Sequence, residues 1–140
     1  MTVEISAAPD IGDLEIPKDA WTQPFWEAAE RGELLLPQCA NCGHYRWPPG
    51  PFCPRCHSQA VSWTPAGSGQ IYSFTILREK TENDVMRATV PALIEFPAAG
   101  GIRLVAAIVE TPIKQIRIGA PVQPSWSQAL DAKIPIFRVV

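Results

Sequence analysis

All four cysteines of this 140-residue chain lie in "CANCGHYRWPPGPFCPRCHS", residues 39–58, as two Cys-x-x-Cys pairs: Cys39 with Cys42, and Cys53 with Cys56. Four thiolates at this spacing close a tetrahedral metal site and leave no position open for a substrate. Zinc is the expected ion, and a rubredoxin-type iron would use the same four ligands. A thioredoxin-like redox centre instead needs one Cys-x-x-Cys where a strand meets a helix, a setting this proline-rich loop lacks. Gly43 follows the first pair, where a tight bend favours positive φ. His57 holds the same place after the second pair, so that turn departs from the ideal. With the shell completed by sulfur, His44 and His57 read as surface or packing residues. Arg55 can offset the negative charge of a tetrathiolate centre without any further role. A cysteine nucleophile needs a free thiol beside a base, and here all four are committed. No Gly-x-Ser-x-Gly elbow, His-Glu-x-x-His pair or phosphate-cradling glycine loop occurs in the sequence. Independent catalysis is not expected.

The elements around this segment must hold it in place. Fifteen prolines, about twice the usual frequency of roughly 5%, exclude long helices outside a few stretches. Residues 1–20 mix small, acidic and Pro/Gly residues without periodicity and read as a flexible acidic arm. A helix is expected over residues 21–35, with Thr22 as N-cap, Pro24 in the first turn and Gly32 at the end. Trp21, Phe25 and Ala28 or Ala29 recur at helical spacing, while Trp26 points away from them. Two readings stand for this face: it packs on its own domain, or Trp21, Phe25 and Trp26 dock on a partner subunit, where Trp is over-represented.

Residues 36–65 form the ribbon, and residues 66–140 read as all-β. "GQIYSFTIL" alternates, with Ile71, Ser73, Thr75 and Leu77 on one face and Tyr72, Phe74 and Ile76 on the other. Tyr72 and Phe74 are expected in the core. "KTENDVMRATV" reads as a long polar loop, "PALIEF" and "IRLVAAIVE" as strands, "IRIGAPVQPSW" as a strand broken at Gly119, and "IPIFRVV" as the last strand. Five short antiparallel strands in so little chain close into a small barrel, which removes exposed edges.

The net charge of −2 divides unevenly: residues 1–38 carry eight acids against Lys18 and Arg31, a net of −6, and the remainder is net +4. The ten basic residues after position 38 are scattered singly and the pI is 5.6, unlike the dense basic stripe of a nucleic-acid binder. The opening "MTVEISAAPD" has neither a basic n-region nor an apolar run, and no stretch reaches the length of a membrane span. A soluble, cytoplasmic protein is expected, a compartment in which paired Cys-x-x-Cys motifs favour metal over disulfide.

A mainly β chain with an N-terminal helix, a rubredoxin-like zinc ribbon and a five-stranded OB-fold barrel, in that order, resembles the acyl-CoA-associated zinc-ribbon/OB-fold family, domain of unknown function 35. The resemblance covers nearly all of residues 24–138. It is carried by "PFWEAAERGELLLPQCANCGHYRWPPGPFCPRCHSQAVSW", "GSGQIYSFTIL", "PALIEF", "IRLVAAIVE", "IRIGAPV" and "IPIFR". The departures are His57 and "PAAGG", where the family tends to an acidic turn. What the resemblance implies is a non-catalytic accessory subunit of a thiolase-like enzyme: a thiolase, a lipid-transfer-type aldolase of steroid side-chain degradation, or an acyltransferase. Such a partner acts on acyl-CoA thioesters in lipid metabolism. The subunit would sit in a hetero-oligomer and help to complete the CoA site.

A CoA-binding surface needs cations for phosphate and an apolar channel for the pantetheine arm. Arg46 and Trp47 at the ribbon tip are candidate contacts with CoA or the partner; the plain alternative is that Trp47 and Phe52 cover the metal and the prolines stiffen the loop. OB-folds often bind over the loop joining strands 1 and 2, here residues 79–90, so Arg78, Lys80 and Arg87 are candidates too. Their alternative is a set of solvated loop charges. Two other functional classes compete with the accessory subunit: a free-standing acyl-CoA-binding protein, and a single-stranded nucleic-acid module, which the acidic pI disfavours.

Overall fold

The structure, a computed structural model, describes residues 3–140. Helix α1 runs from Gln23 to Glu30, shorter at both ends than expected. Thr22 occupies the N-cap position but makes no side-chain cap bond; instead the Asp19 carboxylate accepts the amides of Trp21 and Thr22 at 2.9 and 2.8 Å. At the other end the amides of Gly32 and Glu33 return to the carbonyls of Ala29 and Ala28, the paired closure that satisfies orphan carbonyls. Phe25, Ala28 and Ala29 are the buried face. Trp21 precedes the helix and is 49% exposed.

Strands β1 (Leu35–Cys39) and β2 (Val61–Pro65) pair antiparallel to make the ribbon. The barrel is built from β3 (Gly69–Phe74), β4 (Leu77–Lys80), β5 (Met86–Phe96), β6 (Ile102–Ile108), β7 (Pro121–Gln128) and β8 (Lys133–Val139). The order β3-β7-β8-β6-β5 closes by pairing β5 back onto β3, giving five strands with no free edge between them. All neighbours are antiparallel except β6 and β8, which meet in parallel at Ile108 and Phe137. Together with the chain order this is OB-fold connectivity.

Two expectations change. The alternation across "QIYSFTIL" fails because a bulge separates Ile71 from Ser73 and the strand stops at Phe74. A bulge inserts one unpaired residue and rotates the side chains that follow. Tyr72 therefore stands 41% exposed, with the Arg103 guanidinium stacked 3.6 Å above its ring, rather than in the core. The "polar loop" is mostly a hairpin: β4 pairs with the first four residues of β5, Leu77 with Thr89 through Lys80 with Met86. A cross-strand ion pair, Arg87 with Glu79, lets a charged sequence hold strand geometry there, and Lys80 pairs with Asp84 in the connecting turn.

The core is one cluster in which Ile71, Val90, Ile94, Ile108, Phe96 and Phe137 are almost fully enclosed. The Phe96 and Phe137 rings sit 6.2 Å apart. Leu36 from the ribbon belongs to the same cluster, and Tyr45 and Trp47 pack against it. The ribbon is thus seated on the barrel by shared apolar burial, at about 25 cal/mol per Å² of surface removed from water.

The N-terminal residues, expected as a flexible arm, are hydrogen-bonded along the barrel. Ser6 is buried, its amide bonded to Thr111 and that of Ala7 to Ala88. Glu4 makes a two-pronged ion pair with Arg78, at 2.9 and 2.8 Å. That bond holds the Glu4 carboxyl below its ordinary 4.5. The contribution is therefore complete above the normal carboxylate range and disappears as pH falls through the lowered value. Further along, Leu14 and Ile16 are tied to Leu130 and Asp131.

Candidate metal centre and the groove beside it

β1 ends on Cys39, and the chain bends at once. The Gly43 amide bonds the Cys39 carbonyl at 2.9 Å, with Gly43 at φ +81°. The second knuckle repeats this: the His57 amide bonds the Cys53 carbonyl at 2.9 Å, with His57 at φ +64°. A side chain in this region costs about 1 kcal/mol, so His57 accepts the strain that Gly43 avoids. In each knuckle an amide also faces the first sulfur, that of Cys42 toward Cys39 and that of Arg55 toward Cys53, both at 3.4 Å.

The four sulfurs lie within 4.8 Å of one another. Sγ of Cys39 and Cys56 are 3.5 Å apart, and those of Cys42 and Cys53 3.6 Å. All four cysteines are free. A tetrahedral site with metal–sulfur bonds near 2.3 Å has sulfur–sulfur edges of roughly 3.8 Å, so the cage fits such an ion. The thiols ionise unequally. The Asn41 amide and the Ser58 backbone bring Cys56 down to about 6. The Cys56 backbone, followed by that of Arg55, lowers Cys53. At Cys42 the His44 backbone pulls down, yet lost hydration and the crowding sulfurs raise it to about 11. Thiolates this close need a cation among them, and the amides already point where their charge would be. His44 and His57 are outside the sulfur cluster.

The remaining candidates separate into two groups. Phe25, Trp26 and Trp47 come together. Phe25 meets the Trp26 ring edge-on at 4.9 Å and the Trp47 ring at 5.3 Å. With Pro48, Val105 and Ile134 they line a groove of about 260 Å³ between α1, the ribbon tip and the barrel. Trp26, expected to point away from the packed face, is half-buried in this groove's wall. A second hollow of about 280 Å³, lined by Phe74, Pro91 and Leu93, shares Val105 with the groove. On the outer face here Leu93 pairs with Val105 and Pro91 with Ala107, and Val105 is 72% exposed. The alternation of "IRLVAAI" around buried Ile102 and Leu104 is the sequence signal that turns Val105 outward.

Arg78, Lys80 and Arg87 lie on the β4–β5 hairpin instead, and none lines the groove. Each is in an ion pair: Arg78 with Glu4, Lys80 with Asp84, Arg87 with Glu79. Arg46 is buried at the ribbon and reaches the Ser58 carbonyl. Trp21 stands apart from the groove, beside Trp63 and Val61 in a smaller cavity. Between the ribbon tip and the β5–β6 turn lies a cleft of about 560 Å³, lined by His44, Tyr45, Trp47, Phe52 and Arg103 among others. Among the described residues no helix is long and apolar enough to cross a membrane.

Comparison with known proteins agrees with this architecture. A family model described as the ChsH2 rubredoxin-like zinc ribbon domain matches residues 26–62, and the ChsH2 C-terminal OB-fold domain matches residues 64–127. A protein of Thermomonospora curvata called a probable enoyl-CoA hydratase alpha subunit is 37% identical over 119 residues, 81% of this chain. The chain spans 36% of that relative's length. A solved structure titled "Ltp2-ChsH2(DUF35) aldolase" is 31% identical over 89% of this chain and 98% of its own, with a TM-score of 0.77. A DUF35 protein of unknown function from Sulfolobus solfataricus, 16% identical with a TM-score of 0.63, shares the fold. The chain belongs to the ChsH2 (DUF35) family of paired zinc-ribbon and OB-fold domains.

Proposed function

We propose that this protein is a non-catalytic accessory subunit that binds a thiolase-like enzyme acting on acyl-CoA thioesters, and that a structural zinc holds its ribbon in the binding conformation. One observation carries the reading: a groove walled by Trp26, Trp47, Pro48, Val105 and Ile134 opens onto an outward-facing apolar strand pair. Contiguous apolar surface rimmed by polar residues marks a protein contact, and Trp is a frequent hot-spot residue. The relative titled as an aldolase complex and the one named an alpha subunit both support an assembly with an enzyme chain. Zinc supplies folding free energy to a segment with few apolar residues of its own; the ribbon residues do the rest by orienting Trp47 and its prolines toward α1.

Direct contact with CoA is a second reading with one observation in its favour, the 560 Å³ cleft whose walls combine Arg46, Trp47, Phe52 and Arg103, the last also paired with Glu95. An adenine ring or a pantetheine arm suits aromatic walls with a cation at the rim.

Co-expression with a thiolase-like protein encoded nearby should yield one stable heteromer with about one zinc per copy of this chain. Separate elution of the two proteins, with the enzyme fully active alone, would refute the accessory role. Iron in place of zinc would change the ion and leave the role standing. Adding CoA to the isolated chain should quench tryptophan fluorescence if the cleft binds it, and no change would remove the second reading.

A further inference from the structure

Arg46 is 6% exposed, and its side chain has one hydrogen-bond partner within the described residues. Its guanidinium carries five N–H donors. One, on Nη1, meets the Ser58 carbonyl at 3.4 Å, a long bond. Nε is buried with no acceptor. None of the ion pairs among the described residues includes it. The backbone of Arg46 donates to the Pro37 carbonyl, but any residue could do that, so ribbon pairing does not explain the side chain. No carboxylate of the described residues pairs with it, and a buried guanidinium with a donor left unbonded is disfavoured.

Arg46 lines the 560 Å³ cleft at the ribbon tip and also a cavity of about 80 Å³ whose other walls include Trp21, Pro37, Gln59, Val61 and Trp63. Trp21 and Val61 are 49% and 39% exposed and form its rim. Arg46 is the one charged residue among those lining this cavity, so it balances a single negative charge there. A carboxylate matches that charge and volume, and it pairs with a guanidinium through two parallel hydrogen bonds; a phosphate dianion would leave a charge uncompensated. Pro49 lines both this cavity and the apolar groove, so one macromolecular surface can cover the two together.

We propose that this cavity is a socket for an aspartate or glutamate side chain of the partner subunit, the carboxylate seating on Arg46 and its flanking chain on Trp21 and Trp63. The socket itself stands on the geometry, while the source of the carboxylate rests on the accessory-subunit reading. Arg46 is then kept at a cost to the free chain.

Three measurements on the full chain test this. The isolated Arg46→Met variant should keep its metal and melt a few degrees higher than wild type, because an unpaired buried charge is gone; a lower melting temperature would show Arg46 serving the fold and overturn the proposal. The Arg46 Nε–H signal, identified by its loss in that variant, should shift saturably with sodium acetate and not with sodium chloride at equal ionic strength. Equal responses to the two salts would overturn it. With the partner enzyme, Arg46→Met should weaken assembly about 10- to 100-fold and flatten its salt dependence, with Arg46→Lys recovering part of the loss. Unchanged assembly of Arg46→Met, alongside clear weakening by Trp26→Ala, would overturn the socket and leave the accessory role intact. If wild type forms no complex, the accessory role and the partner carboxylate fall together, and only the acetate result still bears on the cavity.

Discussion

Residues 35–65 and residues 69–139 are both β-structure, yet they are held in different ways. The ribbon has two five-residue strands, one of them largely exposed, and its enclosed side chains are chiefly Leu36, Pro37 and the sulfurs of Cys39 and Cys53. The barrel closes five strands over Phe96, Phe137 and a set of buried aliphatic residues. The barrel therefore specifies itself by packing, whereas the ribbon rests on its four-cysteine cage and on the floor the barrel provides.

The largest effect that would sharpen this contrast is metal loss. Cys53→Ser, or chelation, should withdraw metal-linked folding free energy on the order of 10 kcal/mol from the ribbon. Hydrogen exchange should show protection lost over residues 35–65 and retained across β5 and β6. Uniform loss would mean that the two parts fold as one. Phe137→Ala is the converse: removing a fully enclosed ring should cost about 3–5 kcal/mol of unfolding free energy in denaturant melts. Next comes the groove. Trp26→Ala should weaken assembly with the enzyme by about 2 kcal/mol or more while moving the melting temperature of the isolated chain little.

Smaller effects probe local geometry. A Cβ added at Gly69 would lie 2.9 Å from both Ile94 and Phe96, so Gly69→Ala should destabilise the barrel by about 1–3 kcal/mol in thermal or denaturant melts. His57→Gly should act in the other direction and least of all, raising the thermal stability of the metal-bound protein by about 1 kcal/mol or less. A loss of stability there would mean that the His57 side chain contributes something beyond its bend.

The metal cage and the barrel class were legible in the sequence because each is written in local spacing. Cys-x-x-Cys carries its own turn, and short alternating runs separated by Gly and Pro carry theirs. What escaped depends on tertiary pairing. Tyr72 reads as a core residue because period-2 alternation does not anticipate a bulge between Ile71 and Ser73. The charged stretch after Leu77 looked like a loop because its strand character comes from pairing with β5 and from the Glu79–Arg87 ion pair. Residues 4–7 had no periodicity of their own and take their conformation from Thr111 and Ala88. Phe25, Trp26 and Trp47 each stand out in the sequence, but their meeting in one groove with Val105 and Ile134 joins segments some twenty to over a hundred residues apart, a distance no local pattern spans.

The groove as the docking face is the central claim, and a hydrogen-exchange footprint of the chain with and without its co-purified enzyme partner tests it most directly. Protection is predicted over residues 22–26, 47–49, 104–105 and 134–135, which line the groove. A footprint confined to the β4–β5 hairpin, with those segments unchanged, would contradict it.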